Sequence, residues 1–232
     1  MLKLISLELR KYRFSRHIGY AAMAGLAILL FLTLLGITDY GAEDYAFSTF
    51  AGSFMLIDTF VRATFMIFAG VLLSTMIALE YRNKTMGVLF TYPIKRRKLI
   101  AAKLVIIFVF TFGMILLTDV LMGSVLVVVD RFYPFITDSL TMEQARELLL
   151  EYTVSSLSAA AMALIPLLFG MRKHSVTTTM VSSILLVLIV CSGFNGPVVS
   201  IESIIAIHLA LGAAGLCIAW LSMHRLETKD VN

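Results

Sequence analysis

The chain has 232 residues, of which 59% are hydrophobic and 15% charged, with a formal net charge of +4. A water-soluble domain of that length could not cover so large an apolar load with polar surface, which leaves an integral membrane protein. Cys191 and Cys217 both lie in apolar runs without CxxC or metal-ligand spacing; they read as packing residues and fix no redox compartment.

At the start of the chain Leu2, Ile5, Leu9 and Tyr12 recur at helical spacing, with Lys3, Arg10 and Lys11 off that stripe. Residues 1–17 therefore predict an amphipathic helix lying on the inner membrane surface, although Leu7 and Phe14 fall among the basic residues. Stretches able to cross about 30 Å of hydrocarbon, roughly 20 residues at 1.5 Å each, then follow one another. They run Ile18–Ile37, Ser53–Leu79, Leu104–Val129, Thr153–Met171, Val176–Phe194 and Ser203–Met223. The expected fold is all-α, a single transmembrane domain of six helices with both termini on one side. The first stretch is too long for a signal-peptide core and lacks a small-residue cleavage pattern, so it reads as a retained anchor.

Lys and Arg are held back on the cytoplasmic side during insertion. With the N-terminus inside, 16 of the 19 basic residues and 4 of the 15 acidic ones face the cytoplasm, a net +12 there against −8 elsewhere. The expected orientation is N-in, C-in. Topology and anionic lipid then account for the basic residues, and no nucleic-acid partner is implied.

Between the second and third stretches, residues 80–98 carry seven charges in nineteen positions, six of them basic. "NKTMGVLFTY" can make two or three helical turns, which Pro93 ends by pushing Tyr92 out of the helical region. Lys95 to Lys98 and Lys103 hold the next span at the inner headgroups. A short helix with an apolar side and a basic hem needs cover, either a groove on another protein or the bilayer surface.

Farther along, the segment 130–152 contains "TMEQARELLLEY", where Thr141 and Gln144 form a capping box and Met142, Ala145, Leu148, Leu149 and Tyr152 share a face. This predicts an extracellular helix, a lid on the outer ends of the spans or a substrate-handling element. Small-residue faces at Ala21/Gly25, Ser155 to Ala161 and Gly212/Gly215 suit close helix contact, within one bundle or between two copies. Pro166 reads as a tolerated kink and His208 as a satisfied polar residue.

Ionisable residues inside spans are costly and mark function or bracing. Arg62 stands 18 residues above Glu80 and Asp119 stands 16 above Lys103, roughly 27 and 24 Å at 1.5 Å per residue. Arg62 is therefore expected to face Asp119 between spans two and three, with Asp58 one turn outward sharing the arginine. The pair serves as a static brace, or as a gate or substrate contact.

Glu80-Tyr81, Thr85, Leu89, Thr91-Tyr92-Pro93-Ile94, Arg96 or Arg97, Leu99 and Lys103 together resemble the loop between spans two and three of ABC-2 type transporter permeases. The likeness is to the small six-span subunits similar to bacitracin and lantibiotic immunity permeases, and it extends in order over most of the chain. It implies a cytoplasmic coupling helix at 83–92 seated in a cleft of a separate ATP-hydrolysing subunit. Glu80 and Thr85 would shape the contact, Met86, Leu89 and Phe90 fill the cleft, and Pro93 fix the exit. Family members commonly carry re-entrant outer helices between spans five and six; "SGFNGPVVSIES" leaves room for only a short one, and Asn195-Gly196-Pro197 reads as a tight turn.

No glycine is followed by lysine, so the chain has no phosphate-binding G-x(4)-G-K-[ST] loop. No cofactor is expected in this chain; ATP and Mg would act through the partner subunit. Neither a G-x-S-x-G elbow nor H-E-x-x-H occurs, and the chain is not expected to be an enzyme. The resemblance further implies a second permease copy, identical or related, and export across a bacterial plasma membrane. Amphipathic or antimicrobial peptides are the expected cargo, with other hydrophobic compounds behind them. The rival readings are an ion-coupled carrier or channel using Asp119 and Arg62, and a membrane scaffold or sensor without transport.

Overall fold

The computed structural model describes residues 2–12, 14–38, 49–82, 96–132, 136, 142–173, 175–192 and 209–221, and every element among these is helical. In order they are α1 (Leu2–Lys11), α2 (Phe14–Thr38), α3 (Phe50–Leu73), a π turn (Ser74–Ala78) continuing into α4 (Leu79–Arg82), α5 (Arg96–Phe132), α6 (Met142–Met162), α7 (Pro166–Lys173), α8 (Val176–Ser192) and α9 (Leu209–Leu221). Among the described residues, four helical stretches are long and apolar enough to cross a membrane: Arg16–Gly36, Phe50–Ala78, Lys98–Phe132 and Met142–Gly170. The shorter apolar helices Val176–Cys191 and Leu209–Leu221 stand where the fifth and sixth spans are expected.

α3 is the hub. It packs against α2, α5, α6, α7 and α8, and its inward side chains Ile57, Val61, Phe65, Met66, Ala69, Leu72 and Leu73 are almost wholly buried. Thr49 starts this helix by accepting a hydrogen bond from the Gly52 amide, 3.2 Å away, with extended backbone at the cap, as an N-cap requires. α5 runs unbroken for 37 residues, about 55 Å at 1.5 Å per residue, and so overhangs a hydrocarbon layer of about 30 Å.

The helix expected at 141–152 does not end there. Met142–Met162 is one helix, because Tyr152 and the serines and alanines that follow it continue a buried face without a breaker. The interruption comes later, at residues 163–165, where Leu164, Ile165, Leu167 and Leu168 donate to carbonyls three residues back at 2.9–3.2 Å. Pro166 then opens α7 in the position where a missing amide does least harm. The break is closed off from lipid, with Ala163, Leu164 and Leu167 at most 3% exposed, the setting in which non-helical backbone is tolerated at membrane depth.

Between helices in lipid the hydrophobic effect adds little, so close packing decides contact. Ser158 and Ala161 of α6 meet Gly212 and Gly215 of α9 so closely that a Cβ at Gly215 would lie 2.5 Å from the Ala161 carbonyl oxygen. Those two small-residue faces are thus joined within one chain. Ala21 is fully buried, and a Cβ at Gly25 would lie 3.8 Å from the Thr118 methyl of α5. On the α3–α8 seam a Cβ at Gly70 would fall 2.5 Å from the Ser183 Cβ, while the Ser183 hydroxyl donates to the Met66 carbonyl at 3.3 Å. The tight turn expected at 195–197 and His208 lie outside the described residues.

Gly70→Val is expected to part α3 from α8 and cost about 1–3 kcal/mol of stability by overpacking, read as a lowered thermal unfolding midpoint in detergent. Ser183→Gly in the same chain should restore most of the loss; an unrecovered double variant would refute the seam.

Candidate functional site

Two polar layers cross the bundle. The first, at its basic end, begins with Lys103, one of the largest fully buried side chains. An ammonium in that position needs its donors answered. Its Nζ lies 2.5 Å from Glu80 Oε2, donates to the Met76 carbonyl at 2.8 Å and stands 3.7 Å from Glu8 Oε2. Lys11 Nζ reaches Glu80 Oε1 at 2.6 Å, and the Tyr12 hydroxyl donates to the same oxygen. The Tyr12 ring carries Lys11 on one approach and Lys103 on another, 5.4 and 5.5 Å from its centroid, within cation–π range.

The local fold explains why these groups meet. A π turn widens the helix and relaxes the i→i−4 ladder, and the Met76 carbonyl inside that turn accepts from Lys103, with the Tyr12 hydroxyl 3.4 Å away. Glu8 of α1 and Tyr12, the residue just past its end, are four residues apart, and Tyr12 packs against the core together with Ile5 and Leu9 of α1. Burial pushes the Glu80 carboxyl up, but the hydrogen bonds from Lys103, Lys11 and Tyr12 outweigh it and hold the group below its ordinary value. Burial, and then the Glu80 carboxylate, push the Tyr12 phenol far above its ordinary value, so it remains a neutral donor. The layer thus clamps α1, the end of α3 and the start of α5 together.

The second layer lies nearer the opposite end. Asp58 and Arg62, one turn apart on α3, are joined at 3.0 Å, and Ser155 of α6 donates to Asp58 at 2.8 Å. Asp119 of α5 is fully buried, and neither of its oxygens has a hydrogen-bond partner among the described residues. It lies within electrostatic reach of Asp58, Arg62 and Tyr152. Glu151 and Cys191 feel the Asp58 and Arg62 charges as well. Tyr152 packs edge-on to Phe54, centroids 6.1 Å apart, and its hydroxyl reaches the Phe54 carbonyl at 3.5 Å.

Asp58, Arg62 and Asp119 therefore occupy one layer, with the short ion pair going to Asp58. Glu80 is 6% exposed and engaged by its own chain, rather than offered at a surface. Thr85, Met86, Leu89, Phe90 and Pro93 lie outside the described residues. Sequence reasoning missed Glu8, Lys11 and Tyr12 as members of the first layer and Glu151, Tyr152 and Ser155 as members of the second. A signal existed for Glu8: an acid on the apolar stripe of a basic helix asks for a buried cation. For Glu151 the signal was masked by its place in a charged outer segment.

A family described as ABC-2 family transporter protein matches residues 4–218. A protein of Bacillus subtilis (strain 168), described as uncharacterized protein YcbO, is 35% identical over 229 residues, covering 99% of this chain and 100% of its own. No solved structure matches.

Removing one partner of a buried ion pair leaves the other charge uncompensated, at about 3–5 kcal/mol. Glu80→Gln and Lys103→Met should each lose about that much in detergent unfolding, and Glu80→Gln/Lys103→Met clearly less than the two losses together; simple additivity would refute the clamp.

Because the Glu80 value in the folded protein is depressed below its ordinary 4.5, its contribution is present above that pH and is lost progressively as pH falls from there through the lower folded value. The stability gap between wild type and Glu80→Gln should accordingly be flat from about pH 5 to 8 and shrink in more acid solution. A gap that closes between those limits would contradict the assigned ionisation.

Proposed function

The chain belongs to the ABC-2 family of transporter proteins, and from that premise we propose an exporter in which the basic-end clamp passes motor movement into the bundle. As a membrane permease subunit of an ABC transporter it works with an ABC ATPase subunit. In this reading six spans run with both termini inside, residues 83–92 form the coupling helix, and a second permease, the same or related, completes the assembly. ATP and Mg are handled by the ATPase.

The observation that carries the reading is the position of the clamp. Glu80 and Lys103 bracket the coupling segment from its two sides and meet at 2.5 Å. A push on that segment is thereby delivered to α3 and α5 as one body, with α1 attached through Lys11, Tyr12 and Glu8. Glu80 then acts from behind the contact, positioning it, while Thr85, Met86, Leu89, Phe90 and Pro93 are the residues that meet the ATPase. α3 carries the movement to Arg62, 18 residues on, roughly 27 Å at 1.5 Å per residue. The cargo is an amphipathic or antimicrobial peptide, or another hydrophobic compound, released outward across a bacterial plasma membrane.

The chain purified gently from its native membrane should bring a stoichiometric ATPase with it, and Leu89→Asp/Phe90→Asp should lose both that partner and ATP hydrolysis while remaining folded. An ATPase equally retained by the variant would remove the coupling helix from the proposal.

A further inference from the structure

Charge balances by count in the first polar layer and not in the second. At the basic end two carboxyl groups, Glu8 and Glu80, meet two ammonium groups, Lys11 and Lys103. Nearer the other end, Asp58 and Asp119 both lie in the field of one cation, Arg62. Asp58 is the better served of the two acids. Arg62 stands 3.0 Å from one of its oxygens, the Ser155 hydroxyl donates to the other at 2.8 Å, and its side chain keeps 14% exposure. Asp119 is fully buried, and neither of its oxygens has a hydrogen-bond partner among the described residues.

Ionised, Asp119 would leave the layer with an uncancelled charge at membrane depth, which costs far more than burying a neutral carboxyl group. One proton removes that charge. Among the described residues the neighbouring elements bring no second cation that would. α3 supplies Asp58 and Arg62. From α6 come Tyr152, which feels the Asp119 and Asp58 charges while its hydroxyl reaches the Phe54 carbonyl, and the half-buried Glu151, which feels Asp58 and Arg62. Cys191 of α8 also feels Asp58 and Arg62. α2 approaches α5 at Gly25 and Thr118 and carries no ionisable side chain from Ala21 to Thr38. Glu8 and Lys11 belong to the other layer, at the level of Lys103, 16 residues before Asp119.

We infer that Asp119 is a proton-binding site, which holds one proton while the bundle is closed around it and gives it up when α3, α5 and α6 part far enough to admit water. On release the carboxyl O–H bond breaks, its electron pair stays on Asp119 and the proton passes to water. Proton and conformation are then linked, because the closed arrangement binds a proton that the water-filled one does not. Acid favours the closed bundle and rising pH favours the open one. The site goes beyond the exporter reading and stands without it: it gives the bundle an input of its own, beside the ATP handled by a partner.

Infrared spectroscopy of the full chain in nanodiscs of zwitterionic lipid at neutral pH reads the proton directly. Wild type should show the C=O stretch of a protonated carboxyl group, displaced when the sample is prepared in heavy water. Asp119→Asn should lack that band and Glu151→Gln should keep it. Asp119→Glu should move the band rather than abolish it, and this decides the matter if Asp119→Asn does not fold. Hydrogen exchange at the α5 amides around Asp119 reads the coupling. Dividing the wild-type rate by that of Asp119→Asn at the same pH cancels the intrinsic pH dependence of exchange. The ratio should climb through the neutral range, by up to about tenfold per pH unit for one proton released. Absence of the band from wild type, its survival unmoved in Asp119→Asn or Asp119→Glu, or a ratio that does not change with pH would overturn the site.

Discussion

The ammonium of Lys103, removed completely from water, sets the terms for the basic end of the bundle. It is stable there because Glu80 and the Met76 carbonyl lie 2.5 and 2.8 Å away. Those two acceptors stand together because a π turn, rather than an ordinary α turn, leads α3 into α4. Glu80 in turn draws in Lys11 and Tyr12, which binds α1 to helices that begin tens of residues later. One buried charge therefore dictates the path of three segments, and none of them can shift without exposing or stranding it.

The two polar layers differ in how far their charged groups are answered. At the basic end the carboxylate of Glu80 is saturated with donors, and its environment favours the charged form over the whole neutral range. Nearer the other end, Asp119 feels the charges of Asp58 and Arg62, and neither of its oxygens has a hydrogen-bond partner among the described residues. α3 and α5 connect the levels, and the glycine contacts Gly70–Ser183 and Gly215–Ala161 keep the neighbouring helices close enough to move with them.

Much of this could be read from the chain alone. Spans were legible wherever apolar runs were long and bounded by charge, as at α2, α3 and α5. Arg62 and Asp119 stood out because ionisable groups are rare in such runs, and counting from Glu80 and Lys103 gave nearly equal heights; the structure joins those two reference residues directly. The continuity of α6 was hidden because Glu143, Arg146, Glu147 and Glu151 look like a surface segment, although Tyr152 and Ser155 face inward. The π turn begins at Ser74 and Thr75, whose hydroxyls donate back to the Val71 and Leu72 carbonyls at 2.8–3.1 Å, a common local pattern that does not by itself announce a π turn. It packs against α5, α7 and α8, tertiary contacts that local patterns do not record.

That turn also changes what length means in this part of the chain. Five residues occupy the π segment, Ser74 to Ala78, where an α-helix would complete its turn in about 3.6. Phe65 and Met66 before it and Glu80 after it consequently obey two different angular phases along one continuous rod. Losing or gaining a single residue there would alter the rod's length by only about 1.5 Å, but would rotate everything beyond by about 100°. Glu80 would then swing away from Lys103. For Glu80 to reach Lys103, the number of residues between Arg62 and Glu80 matters as much as the identity of their side chains.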